Sequence, residues 1–215
     1  MKLEKTGKTI KDLREDSIVY VAAELFLEKG IGNVKMTDVA EAAGVGVASL
    51  YRWYGTKDGL VIRAGALLWR DLHTLFQTVY EAEDFLACSG MARISRLFGV
   101  YRTLYREQGA FIRFVGEFDS FVIRANPDPK VMAEYEQSVL NFFPVFLDAY
   151  EAGVADGTVH PVPSPKLYYD GVCHALMALA QKLLRGEILA TDGFDDAAEL
   201  DLLLDMAESW LRREA

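Results

Sequence analysis

Cysteine is scarce. Cys88 and Cys173 are the only two among 215 residues, with no C-x-x-C and no histidine at ligand spacing. Two isolated thiols favour ordinary buried thiols over a disulfide or zinc site, and they fit a reduced, cytoplasmic protein. Long apolar runs are missing as well. The longest stretches free of Asp, Glu, Lys and Arg, Gly171–Gln181 and Gln137–Leu147, are 11 residues each. A membrane span needs roughly 20, so no membrane partner is expected. The opening MKLEKTGKTIKDLRED has no apolar segment of the secretory kind. His73, His160 and His174 are too scattered for a metal site, and no cofactor is expected. No Ser-His-Asp order, nucleophile elbow, P-loop or H-E-x-x-H is visible, so no catalytic residue stands out.

Basic residues are also in deficit, 23 against 32 acidic, a net charge of −9. Taken whole, that balance argues against a protein that coats nucleic acid. Its distribution says otherwise. Residues 1–62 are neutral and residues 63–130 carry +1, whereas residues 131–215 carry −10. The first eleven residues hold Lys2, Lys5, Lys8 and Lys11 against Glu4 alone. Such a start is either a frayed terminus or a basic arm that follows a phosphate backbone, and what comes after it decides.

What the chain does have is apolar residues, 51% of the total, at i, i+3, i+4, i+7 spacing. Nothing alternates with period two for long. Helices are expected at Ile10–Lys29, Asp38–Ala43, Val47–Trp53, Lys57–Glu81, Met91–Arg106, Ala110–Arg124, Lys130–Ala155, Lys166–Arg185 and Phe194–Arg213. Thr56 stands as an N-cap for the fourth, and Pro144 is a kink within the seventh. The expected fold is all-α with about nine helices. A small N-terminal helix-turn-helix domain covers residues 1–55, and a larger helical domain covers 56–215.

The two short helices carry the most information. Thr37 stands before the first, where its hydroxyl can cap the helix or reach a phosphate. Gly44 suits an abrupt, left-handed helix end, and Val45 plugs the corner. In the second helix Leu50 and Tyr54 point toward the first-helix stripe of Leu13, Ile18, Val21, Ala22, Leu25 and Phe26. Val47, Ala48, Ser49 and Arg52 point away, flanked by Tyr51 and Trp53. Small apolar groups, a hydroxyl and a guanidinium suit contact with base edges in a major groove.

Residues 37–60, TDVAEAAGVGVASLYRWYGTKDGL, resemble the DNA-binding signature of the TetR family of transcriptional regulators. The resemblance rests on Thr37, Val39-Ala40, Ala43-Gly44-Val45, Leu50-Tyr51, Trp53-Tyr54 and Lys57-Asp58 leading to Leu60. The preceding AAELFLEKGIGNVKMT extends it, through a first helix that ends in Phe-x-x-x-Gly. It implies a homodimer on a palindromic double-stranded operator, a separate domain for a small-molecule effector, and a repressor that the effector releases. It also implies phosphate contacts from Thr37, Tyr51, Trp53 and Lys57, with Val47, Ala48, Ser49 and Arg52 facing bases. Two positions depart from the family pattern. Gly46 replaces a usual Ser or Thr, and Val47 replaces an often polar residue, which shifts base readout toward Arg52 and methyl contacts.

The C-terminal domain offers Phe98, Tyr101, Tyr105, Phe114, Phe118, Phe142, Phe146, Tyr150 and Met177 on inward helical stripes. Such residues form plain core in most helical domains. Together they also describe a pocket for a hydrophobic or aromatic molecule. His174, in VCHALMALA, is either a core or interface histidine or a ligand contact. Glu117 and Asp119 beside aromatic residues suit a cation or, more commonly, face solvent. Leu167, Val172, Leu176, Leu179 and Leu183, with Leu200, Leu203, Leu204, Ala207 and Leu211, form stripes for a four-helix dimer interface. An all-α enzyme and a helical interaction module remain the alternatives.

Overall fold

A computed structural model describes residues 10–139, 142–185 and 196–213. Ten α-helices and one short 3-10 turn make up the described secondary structure, in the order α1 (Ile10–Lys29), the 3-10 turn (Ile31–Asn33), α2 (Met36–Ala42), α3 (Val47–Tyr54), α4 (Lys57–Tyr80), α5 (Gly90–Glu107), α6 (Gly109–Ala125), α7 (Pro129–Ser138), α8 (Phe143–Asp156), α9 (Pro165–Leu183) and α10 (Asp196–Leu211). The chain is all-α, as its periodicity predicts, with one helix more than expected. The single helix anticipated over Lys130–Ala155 is two, α7 and α8. Pro144 sits in the first turn of α8 with its φ preset for helix, where its missing N–H costs nothing; in mid-helix it would break the hydrogen-bond ladder. Among the described residues no helix is long and apolar enough to cross a membrane.

The helices group into two compact units. One joins the chain up to Arg70 with Phe114–Val139; the other joins Asp71–Arg113 with Leu140–Ala215. In the first unit, α1 buries Ile18, Ala22 and Phe26, each at most 2% exposed, against the short helices that follow. Gly30 ends α1 and donates its N–H to Phe26 O. Helix α2 begins at Met36 rather than Asp38. The Asp38 carboxylate reaches back to accept the Lys35 N–H at 2.7 Å, so an acid in the first turn closes the helix start. Thr37 consequently lies inside α2 and does not cap it; its hydroxyl donates to Asp38 at 3.4 Å. At the other end Gly44 takes a φ of +63°, and the N–H groups of Gly44 and Val45 bond Glu41 O and Ala40 O. That paired closure turns the chain sharply into α3. Thr56 caps α4, accepting the Gly59 N–H at 3.4 Å.

The second unit is built around α5, α8, α9 and α10. Met91, Ile94, Leu97 and Phe98 of α5 pack with Phe146, Ala149 and Tyr150 of α8, Leu176 of α9, and Leu200, Leu204 and Leu211 of α10. The Asp156 carboxylate accepts the Gly90 N–H at 2.8 Å, which satisfies an otherwise orphaned donor at the start of α5. The turn after α8 pairs with the end of α10 through His160 N to Leu211 O and Arg213 N to Thr158 O. Ser95 donates to Glu208 at 2.6 Å and Arg102 pairs with Asp201, so polar contacts flank the apolar seam between α5 and α10.

Candidate nucleic-acid interface

The residues of α3 divide sharply by burial. Leu50 is 0% and Tyr54 6% exposed, anchoring the helix in the first unit. Ala48, Tyr51 and Arg52 are exposed on the opposite side, with Tyr51 at 50%, while Val47, Ser49 and Trp53 are half-buried. The Arg52 guanidinium lies 5.7 Å from the centre of the Trp53 ring, a cation–π contact that holds the two side chains together. Thr37 is exposed on α2. Exposed aromatic and small residues beside a guanidinium form a surface able to meet base edges and phosphates together.

Lys57 differs from the others. Its Nζ donates to the carbonyl oxygen of Ile31, in the turn after α1. Burial lowers the pKa of its ammonium, against the opposing pull of the Asp58 and Asp38 carboxylates. The same Ile31 donates its N–H to Glu117 Oε2 of α6 at 2.7 Å. Glu117 therefore binds a backbone amide of the first unit, a partnership across 86 residues that no local sequence signal announces. The lysines of the N-terminal arm, Lys2, Lys5 and Lys8, and the Lys11 side chain lie outside the described residues, as does the side chain of Leu13.

The candidate ligand residues fall into two sets. Phe98, Tyr101, Tyr105, Phe142, Phe146, Tyr150, His174 and Met177 belong to the second unit, and Phe114 and Phe118 to the first. In the second unit Phe146 is fully buried and lies 5.7 Å from Phe98, 6.2 Å from Tyr150 and 5.1 Å from Tyr169. Phe142 stacks on Phe76 at 3.9 Å. Tyr101, Tyr105 and Met177 are half-buried, and His174 is exposed on α9. Burial pushes the Cys173 thiol and the neighbouring hydroxyls of Tyr101 and Tyr169 up in pKa. This polar trio within an apolar cluster unites three residues of which the sequence pattern selected only Tyr101. In the first unit Phe118 stacks on Tyr135 at 4.6 Å, and Tyr135 accepts the Trp69 indole N–H at 2.9 Å. Burial pushes Tyr135 up to about 12 and raises Asp119.

The interface stripes divide similarly. Leu176, Leu200, Leu204, Ala207 and Leu211 face the chain's own core, each at most 8% exposed. Leu167 is 73% exposed, and Val172, Leu179, Leu183 and Leu203 are half-buried. A second apolar row on α10, Leu202, Met206 and Trp210, is 61–66% exposed and lies outside the stripes expected from the sequence. Its i, i+4, i+8 spacing was the available signal. Val172, Leu203, Met206 and Trp210 line a shallow apolar groove with Tyr168, Gly171, Ala175 and Ala207.

Comparison with known proteins bears on this geometry. Residues 18–64 match the family model described as bacterial regulatory proteins, tetR family. No curated protein matches the chain in sequence. Solved structures do match in fold. A protein from Saccharomonospora viridis in complex with choline is 18% identical, with a TM-score of 0.68, covering 95% of this chain and all of its own. A regulatory protein in the tetR family from Rhodococcus RHA1 is 21% identical, with a TM-score of 0.59 and coverage of 94% and 98%. The ketosteroid transcriptional regulator KstR2 of Mycobacterium tuberculosis is 16% identical, with a TM-score of 0.55 and coverage of 96% and 98%. The matched segment spans α1 from Ile18, the helix-turn-helix and the start of α4, the elements that set out the exposed face of α3. Residues 18–64 thus resemble the DNA-binding segment of the tetR family of bacterial regulatory proteins, on a chain that shares the fold of these solved regulators.

Proposed function

We propose that this protein is a repressor that binds a palindromic operator as a homodimer and is released by a small, hydrophobic or aromatic effector. The observation that carries the DNA reading is the division of α3, with Leu50 and Tyr54 buried and Ala48, Tyr51 and Arg52 exposed. On this reading Val47, Ala48, Ser49 and Arg52 face base edges, while Thr37, Tyr51, Trp53 and Lys57 serve the backbone. The DNA-binding domain comprises residues 1–55, the remainder holds the effector and the dimer contact, and the protein works in the cytoplasm. No catalytic residue is assigned.

The effector reading draws support from the aromatic cluster around Phe146, whose polar groups, Tyr101, Tyr169 and Cys173, are few and half-buried. Apolar walls with a few placed polar atoms are the usual make-up of small-molecule sites. The dimer reading draws support from Leu167, Leu202, Met206 and Trp210, large apolar side chains left exposed on two neighbouring helices. Effector and operator would weaken each other's binding by the same factor, because the coupling is one free energy. Arg52→Ala tests the DNA reading: preference at one base position per half-site should relax, with discrimination there falling by roughly 1–3 kcal/mol. An unchanged preference would remove Arg52 from the base-reading face.

A further inference from the structure

The backbone of Ile31 is held on both sides. Its N–H donates to Glu117 Oε2 of α6 at 2.7 Å, and its C=O accepts from the Lys57 ammonium at the start of α4. A third feature fits the same spot. Gly30, immediately before, has a φ of +81°, and a β-carbon there would stand 2.9 Å from Glu117 Oε1 and 3.1 Å from Oε2. The carboxylate thus approaches the backbone as closely as a residue without a side chain permits. Ile31 itself is 2% exposed, which ties its peptide to the packing of the first unit. Beyond this turn lie Lys35 and α2, and then α3, so the position of the turn sets where the exposed face of α3 stands.

From this geometry we infer that Glu117 is a positioning residue for DNA binding, acting through the Ile31 peptide together with Lys57. Glu117 belongs to α6, far in sequence from the helix-turn-helix, and it touches no base or phosphate on this account. Its carboxylate fixes the turn between α1 and α2. Lys57, held by the Ile31 carbonyl, retains two further N–H donors for a phosphate and is aimed by the bond it already makes. The DNA part of this inference rests on the proposed role of α3; the clamp on Ile31 does not.

The experiment uses the full chain in two measurements. Amide hydrogen exchange is followed at Ile31, and affinity is measured for a duplex that the wild type selects from a randomised pool. Glu117→Ala should speed Ile31 exchange roughly tenfold, the size expected for losing a charge-assisted hydrogen bond at a partly exposed site. Duplex affinity should fall about three- to tenfold. Glu117→Gln keeps an oxygen able to accept the N–H and should recover most of both. Asp119→Asn, which removes a charge two residues away, should change neither. A urea midpoint for each variant separates local release from unfolding. Equal Ile31 exchange in wild type and Glu117→Ala would overturn the inference. So would faster exchange with unchanged duplex affinity, or a Glu117→Gln variant as impaired as Glu117→Ala. A wild type that selects no duplex while Ile31 exchange still depends on Glu117 would overturn the DNA role and leave the clamp standing.

Discussion

Gly90→Ala should cost this protein far more stability than its single added methyl group suggests. Gly90 opens α5, and a β-carbon built there would lie 2.0 Å from the backbone nitrogen of Gly153, 2.2 Å from its Cα and 2.5 Å from Ala149 O. All three are backbone atoms of α8, so no side chain can swing aside. Restoring ordinary contact requires the two helices to part by roughly 1.5 Å, far more than the gap at which dispersion contacts begin to fail. The seam that would open includes Met91, Ile94, Phe98, Phe146, Ala149 and Tyr150, none more than 6% exposed. Overpacking commonly costs about 1–3 kcal/mol, and a clash against backbone belongs at the upper end, about 3 kcal/mol. For a chain of this size that lowers Tm by roughly 6–12 °C.

Gly99→Ala, on the same helix, is the control. A β-carbon at Gly99 meets only the Arg102 guanidinium at 3.9 Å, so the substitution should stabilise by about 0.5–1 kcal/mol through helix propensity. Thermal unfolding followed by circular dichroism reads both. A Gly90→Ala variant within about 1 kcal/mol of wild type would refute the close crossing of α5 and α8.

Two further predictions follow from other contacts. The Asp156 carboxyl is held below its ordinary value, first by the Thr158 hydroxyl, then by the N–H groups of Gly90 and Thr158. A depressed carboxyl contributes stability above its unfolded pKa and loses it as pH falls through the folded one. Asp156→Asn should therefore be less stable than wild type near neutral pH, with the gap closing below about pH 3.9 in a series of urea titrations. A gap independent of pH would show that the charge contributes nothing. On α10, Trp210 is 66% exposed, and burying that surface in a dimer is worth roughly 3 kcal/mol per copy. Trp210→Glu should lower the mass measured by sedimentation to that of a monomer while helical content persists; an unchanged mass would place the interface elsewhere.

Local features of this fold were legible in the amino-acid order, and long-range ones were not. The end of α1 at Gly30, the left-handed turn at Gly44, the cap at Thr56 and the inward pair Leu50 and Tyr54 follow from residue type and spacing. The start of α2 differs from the expected one because Asp38, an acid within the helix, competes with Thr37 as the capping group, and propensity does not decide between them. Helix α10 carries apolar residues on two faces, so periodicity alone cannot say which one meets the chain's own core. Leu200, Leu204 and Leu211 do; Leu202, Met206 and Trp210 do not. The aromatic residues of α5, α6 and α8 share one spacing pattern, yet Phe114 and Phe118 belong to a different unit from Phe98 and Phe146. Glu117 reads as a solvated acid until the Ile31 amide is seen against it. The net charge misleads for a related reason, since the acidic excess lies beyond residue 130 and the segment with α3 is neutral.

Whether α3 reads duplex DNA is decided by selection of duplexes from a randomised pool. At low salt the wild type should enrich a two-fold symmetric sequence, and its affinity for that sequence should fall linearly with salt on logarithmic axes. Failure to enrich any sequence, with no salt-dependent binding to duplex of any kind, would contradict the account.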